Sequence, residues 1–288
     1  MKPQQLEQKT SSVGFETGVT AHESESAFKW SLEIVPRHAG NLGKIPEWVR
    51  EIYITMIPGD EIREVLEATR KVREVGRIPV PHIAARGLES EEQFGHLLDS
   101  LEELGVDRLL FIGGGVGDLK GPYDSVMDLF KTGLVEREAF REVGVAGHPE
   151  GNPSDPDAEK NLLGKIHWAN ERKLPMRIVT QWSFNAQVIN AWILDLREKG
   201  VENPIHIGIP GPASLKSLLR YAKVCGVQAS TEVLKKQGFN LGKLVFVNKP
   251  DRMVSEIEGH QQFHLFPFGG LEKTSEWLEQ RRSNTSTA

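Results

Sequence analysis

The chain predicts an α/β fold of the (β/α)8 TIM-barrel class: a single domain preceded by a flexible N-terminal arm. Three observations predict it. Eight short apolar segments alternate with amphipathic helical segments over roughly 250 residues, the length such a barrel needs. No internal linker and no repeat of about 20–50 residues interrupts that alternation. Polar residues also gather at the carboxyl ends of the apolar segments, where barrels carry their chemistry. A doubly wound open sheet is the rival architecture.

Residues 1–26 are rich in Gln, Ser, Thr and Glu and lack sustained periodicity, which predicts the flexible arm. The barrel is expected over 27–282 and a polar tail over 283–288. Lys29–Val35 alternates and stops at Pro36, giving the first strand. Glu51–Ile57 is the second, closed by Pro58 and Gly59. A helix follows from Asp60, its expected N-cap, to about Val75, with an apolar stripe at Ile62, Val65, Leu66, Ala68 and Val72. Ile78–Ala84 is the third strand, and Ser90 with Gln93 forms a capping-box pattern opening a helix to about Leu104.

The fourth strand, Asp107–Ile112, runs into Gly113-Gly114-Gly115-Val116-Gly117-Asp118. Helical segments are expected near Ser125–Thr132 and Glu136–Glu142. A fifth strand around Val143 and Val145 breaks into the polar loop His148-Pro149-Glu150-Gly151-Asn152-Pro153. Asp157–Glu171 is helical, and Met176–Gln181 is the sixth strand. A helix from Asn185 to Lys199 is expected to end on a left-handed Gly200. The seventh strand is Pro204–Ile209, with Pro212 opening the next helix as an N1 proline. The eighth is Gln262–Phe266, before a closing helix over Leu271–Arg281.

Composition narrows the function. A hydrophobic content of 39% and a charged content of 26% describe an ordinary globular chain, and the net charge of −5 argues against a nucleic-acid partner. One cysteine, Cys225, excludes an intrachain disulfide and any thiolate metal cluster. No apolar run approaches a membrane span, and residues 1–26 lack a signal-type apolar core, so a cytoplasmic protein is expected, with no membrane partner. A homo-oligomer is compatible with all of this. No metal is assigned, because no His/Asp/Glu set has helix-borne ligand spacing. Serine-hydrolase and P-loop signatures are absent, and the glycine run is not a dinucleotide fingerprint.

The strand ends deliver Glu33, Thr55, His82, Asp118, His148, Glu150, Asn152, Thr180 and Gln181 to one rim, with Lys165 on the helix after strand five. Each has a plain structural reading as well. Glu33 is an exposed ion-pair partner or a recessed general acid; Asp118 is a turn cap or a ligand contact. His82, His206 and His264 are barrel fillers or functional imidazoles.

Taken in order, these stretches resemble the methylenetetrahydrofolate reductase family, whose fold is a (β/α)8 barrel. Leu32-Glu33-Ile34-Val35-Pro36 is similar to its S-F-E-F-F-P-P opening, Tyr53-Ile54-Thr55 to S-V-T, and Pro81-His82-Ile83 to P-H-L-T-C. Gly117-Asp118 matches the end of R-G-D, and Val145–Pro153 resembles V-A-x-Y-P-E-x-H-P. Asn161 and Lys165 fall on N-x-x-x-K, Thr180-Gln181 on I-T-Q-F-F-F, Pro204–Pro212 on I-x-P-G-I-x-P, and Phe263–Phe266 on F-H-F-Y-T-L-N-R.

The resemblance implies reduction of 5,10-methylenetetrahydrofolate to 5-methyltetrahydrofolate. Glu33 would be the general acid, and Asp118 and Gln181 would hold the pterin. FAD would sit on Thr55, His82, Gly117, Asp118, His148, Asn152, Asn161 and Lys165, with NADH or NADPH as reductant. The chain departs from the pattern at Val116, His148, Asn152 and Gly269-Gly270, several of which are positions that touch the flavin in the family. Those departures leave a flavin-independent transfer from NADH open. A corrinoid-linked, pterin-binding methyl-transfer barrel and a non-catalytic folate-binding barrel stay open as well.

Overall fold

Eight parallel strands close on themselves: β1 (Trp30–Ile34), β2 (Glu51–Ile54), β3 (Ile78–Ala84), β4 (Arg108–Ile112), β5 (Glu142–Gly147), β6 (Met176–Thr180), β7 (Ile205–Pro210) and β8 (Gln262–Phe266). Each pairs with its chain neighbour, and β8 returns to β1 with Trp30 opposite Phe263 and Leu32 opposite Leu265. Closure removes both sheet edges. The computed structural model describes residues 30–56, 59–115, 119–225, 227 and 247–285. The expected arm therefore lies outside the described residues, as do Val116, Gly117, Asp118 and 286–288.

The helices are α1 (Ile62–Glu74), α2 (Glu91–Glu103), α3 (Val126–Lys131), α4 (Ala158–Glu171), α5 (Ala186–Glu198), α6 (Leu215–Cys225), α7 (Asp251–Glu256) and α8 (Leu271–Thr285). A 3-10 run, Pro36–Lys44, connects β1 to β2, and Ala213–Ser214 pairs antiparallel with Val247–Asn248. Among the described residues no helix is long and apolar enough to cross a membrane.

Strands β2, β6 and β7 are buried along their whole length, as expected of parallel strands covered on both faces. Outward side chains such as Leu32, Ile34, Ile52, Ile54 and Val145 join the helices in one large core. The inward set is different. Tyr53, Val80, Leu110 and Val179 form a thin apolar layer of their own, and below it the barrel interior is ionic.

That ionic floor is built from residues at the strand starts. Arg177 donates to both Glu51 oxygens at 3.0 Å and to the Tyr53 hydroxyl at 3.1 Å, and it also pairs with Glu142. Arg108 reaches Glu51 from β4, and Gln262 donates to Glu51 at 2.8 Å from β8. Burial alone would raise the Glu51 carboxyl, but Arg177, His206, Arg108 and the Gln262 hydrogen bond together hold it at about 2. Gly144 makes room for this arrangement: a Cβ there would come within 2.9 Å of Leu110 and 3.6 Å of Arg177.

Several local expectations are corrected. Glu61, not Asp60, caps α1, because its side chain and that of Glu64 satisfy each other's backbone N–H groups. Ser90 accepts from Gln93 N–H at 3.1 Å, but the Gln93 side chain returns to Glu89 rather than Ser90. Residues 136–141 are irregular chain with a turn at 138–139, not helix. Gly133 takes a positive φ of 75°, Val135 and Phe140 anchor inward, and Glu142 already belongs to β5 opposite Arg108. Pro212 precedes the short pair, so α6 starts at Leu215, with Ser214 Oγ accepting from Ser217 N–H. The closing helix continues to Thr285, into the stretch expected to be tail. Gly200 does take the left-handed conformation, φ 79°, after α5.

The floor generates a stability prediction. Removing one member of a buried ion set strands the others, at about 3–5 kcal/mol. Arg177→Met is expected to cost that much in urea unfolding, whereas Arg70→Ala, which breaks only exposed pairs with Glu67 and Glu74, should cost under about 1 kcal/mol. Equal losses in the two variants would contradict the assignment.

Candidate functional site

The alternation that sends Leu32 and Ile34 outward turns Ser31 and Glu33 into the barrel. Glu33 stands above the apolar layer, its side chain 17% exposed. Its Oε2 lies 3.6 Å from His82 Nε2 of β3 and 3.5 Å from His264 Nε2 of β8. Three strands that are distant in sequence thus place one carboxylate between two buried imidazoles.

The hydrogen bonds assign a tautomer. Ser31 Oγ lies 3.4 Å from the Phe263 carbonyl, which can only accept, and 3.0 Å from His264 Nδ1. With the hydroxyl proton directed to the carbonyl, Nδ1 carries hydrogen and donates to Ser31, and Nε2 faces Glu33. Neither His82 nitrogen has a hydrogen-bond partner, nor does His264 Nε2. Burial, outweighing the Glu33 charge, depresses His82 to about 4, so this imidazole is neutral at pH 7. A carboxyl group recessed between two buried imidazoles, one of them neutral, is placed to pass one proton to a substrate.

On the β6–β8 side the chamber has an aromatic wall that the sequence reading missed. Tyr221 stacks on Phe268 at 4.1 Å between ring centroids, Phe268 stacks on Phe266 at 5.6 Å, and Trp182 meets Phe268 edge-on at 5.2 Å. Gly208 permits the close approach, since a Cβ there would lie 2.4 Å from the Thr180 carbonyl and 2.9 Å from the Phe266 ring. Cys225 of α6 borders the same space. Burial raises its thiol, and the Glu33 charge adds to the rise. The only signal for this wall in the sequence is the aromatic spacing of Phe266 and Phe268 after β8.

The other expected site residues fall into separate places. Thr55 is buried just past β2, its N–H donating to the Ile34 carbonyl. Thr180 is committed to the Gly208 N–H. Gln181 donates from its backbone to Gly147 and accepts at Oε1 from Trp182 N–H, so its NH2 group is the part left to meet a ligand. Glu150 accepts from Ser183 Oγ at 2.6 Å, tying the loop after β5 to the loop after β6.

A corner forms beyond β5. His148 is depressed to about 4 by burial and by Lys165. Lys165 is itself lowered by burial, with Asp155 opposing. Asn161 donates to both Asp155 oxygens at 3.1 and 3.0 Å, and Asn152 Oδ1 caps Ser154 N–H. His82 is not part of this corner; it belongs to Glu33. Among the described residues no group of three His, Cys, Asp or Glu is arranged to hold a metal.

No family model matches the chain. Among solved structures, N-acetylneuraminate lyase from Mycoplasma synoviae aligns over 91% of this chain and 77% of its own, at 10% identity and a TM-score of 0.48. The Fusobacterium nucleatum N-acetylneuraminate lyase aligns over 90% and 77%, at 9% identity and 0.47. Dihydropteroate synthase from Thermus thermophilus aligns over 90% and 93%, at 13% identity and 0.46. At these scores the barrel rests on its own strand closure rather than on these likenesses.

The buried imidazoles make stability acid-sensitive. His82, His148 and His206, at about 4, about 4 and about 3, lie below their ordinary 6.5. Between those values the unfolded chain binds protons that the folded chain refuses, so stability falls as pH drops from 6.5. Glu51 adds a further loss below its ordinary 4.5. Urea midpoints at about pH 7, 5.5 and 4.5 should decline in that order, by a total on the order of a few kcal/mol. A flat series would contradict the neutral-histidine interior.

Proposed function

We propose that the chain reduces 5,10-methylenetetrahydrofolate to 5-methyltetrahydrofolate, with a reduced nicotinamide nucleotide, NADH or NADPH, as the source of hydride. The observation that carries this reading is Glu33, recessed at the end of β1 and flanked by the Nε2 atoms of His82 and His264. A carboxyl group recessed between two buried imidazoles is placed to deliver a proton at one atom of a substrate.

In this reading Glu33 gives its proton to N10 of the folate, the N10–methylene bond breaks, and the methylene carbon remains on N5 as an iminium. Hydride addition to that carbon completes the methyl group. The Gln181 NH2 group would donate to the pterin edge, and Asp118 would accept from its amino-pyrimidine face, fixing orientation so that the transfer is effectively unimolecular. The Tyr221–Phe268–Phe266 wall offers a flat apolar face for the substrate's aromatic portion.

FAD fits the described residues poorly. His82 is drawn into the acid chamber, Asn161 is engaged by Asp155, and Asn152 Oδ1 caps its own loop. Only His148 and Lys165 share a corner that could face a cofactor. No step is therefore routed through a flavin, and direct reduction by the nicotinamide nucleotide is the reading these contacts favour.

Glu33→Gln tests the chemistry. It should lower kcat/KM for methylenetetrahydrofolate reduction by about 100-fold or more while leaving folate binding within about threefold. Wild-type turnover in the variant would exclude Glu33 as the acid. NADH oxidation by flavin-free protein, with and without added FAD, separates the two hydride routes: equal rates support direct transfer, and activity only with FAD removes it.

A further inference from the structure

We infer that Tyr53 is a positioning residue that fixes the plane of the His264 imidazole facing Glu33. The inference rests on the proposed function, in which Glu33 is the acid, and it names a residue at a position where the resembling family carries serine.

Tyr53 is fully buried on β2, and both of its ends are engaged. Its hydroxyl accepts from Arg177 Nη1 at 3.1 Å, and that guanidinium is itself clamped by Glu51 and Glu142. The phenol oxygen is thus anchored in the floor. The ring rises from that anchor and meets the His264 ring at 4.4 Å between centroids with an interplanar angle of 58°, and the His82 ring edge-on at 6.1 Å and 77°.

His264 otherwise has one hydrogen bond, Nδ1 to Ser31, and an edge contact with Phe266 at 4.9 Å. A single hydrogen bond leaves an imidazole free to tilt about it, and a flat neighbour removes that freedom. With Val80, Leu110 and Val179, the Tyr53 ring also closes the apolar layer that separates the floor from the acid chamber. The ionisable groups facing His264 are Glu33 from β1, His82 from β3 and His206 from β7, with Arg177 beyond the Tyr53 hydroxyl on β6. Two demands therefore meet in one side chain: the ring orients the imidazole, and the hydroxyl locates the ring.

The experiment compares Tyr53→Phe, Tyr53→Leu and Tyr53→Met in the full chain. Imidazole 15N shifts are assigned by comparison with His264→Asn, and kcat, KM and the pH–rate profile are measured for methylenetetrahydrofolate with NADH. Tyr53→Phe keeps the ring and should retain the Nδ1–H tautomer signature of His264 and kcat within about threefold, with a lower melting temperature. Tyr53→Leu and Tyr53→Met should lose that signature, displace the pH profile, and lower kcat about tenfold or more with KM little changed.

If either aliphatic variant that folds keeps both the parent His264 shifts and the parent pH profile, Tyr53 is a core filler and the inference is overturned. Failure of all three variants to keep a native circular-dichroism spectrum overturns it equally, since the residue would then be needed for folding. The imidazole shifts report positioning without any turnover. Absent reductase activity in the parent protein therefore counts against the proposed function and leaves the positioning result standing.

Discussion

A guanidinium with only 2% of its side chain exposed can exist inside a barrel only if every direction it points in is answered. Arg177 is answered by Glu142 from the adjacent β5 and by Glu51 and Tyr53 from β2 across the barrel. Those strands must therefore hold their register to within a hydrogen bond's tolerance, because a slip of one residue would turn each of these groups outward. Closure of the barrel and satisfaction of Arg177 are the same geometric condition. The rest of the interior inherits its height and orientation from that floor.

Above the floor the logic inverts. The lower groups are charged and held in ion pairs; above them, His82 and His264 turn Nε2 atoms without a hydrogen-bond partner toward one carboxylate, Glu33. Between them lies the layer of Tyr53, Val80, Leu110 and Val179. Unanswered buried polar atoms are costly, and proteins keep them where a ligand or a proton will answer them. That convergence on one carboxylate, more than the number of polar residues on the rim, is what makes Glu33 and its two imidazoles the candidate site. Three wall elements complete it: the loop tie from Glu150 to Ser183, the glycine at 208, and the aromatic stack on Phe268.

Much of the fold was legible along the chain because its signals are local. Proline and glycine punctuate the strands, Gln262–Phe266 and Ile78–Ala84 read as strands to the residue, and the Asn185 cap and Gly200 terminus follow from backbone chemistry. The failures have equally local causes. Asp60 and Glu61 are adjacent acids, and only the reciprocal bond with Glu64 decides which one caps α1. The stretch 136–142 carries a helix-compatible composition, but Glu142 is claimed by pairing with Arg108, a contact that periodicity cannot see.

The sequence by itself determined the class of fold, the order of its strands and the candidacy of Glu33, since these depend on alternation, punctuation and residue type. Tertiary structure alone decided which of the polar residues meet. Glu33 is 49 positions from His82 and 231 from His264, and no pattern along the chain couples such separations. Strand closure couples them, by bringing β1, β3 and β8 around one axis and turning alternate side chains inward. The same closure put Tyr53 between the ionic floor and the acid chamber, a placement that follows from barrel geometry and from nothing in its immediate neighbours.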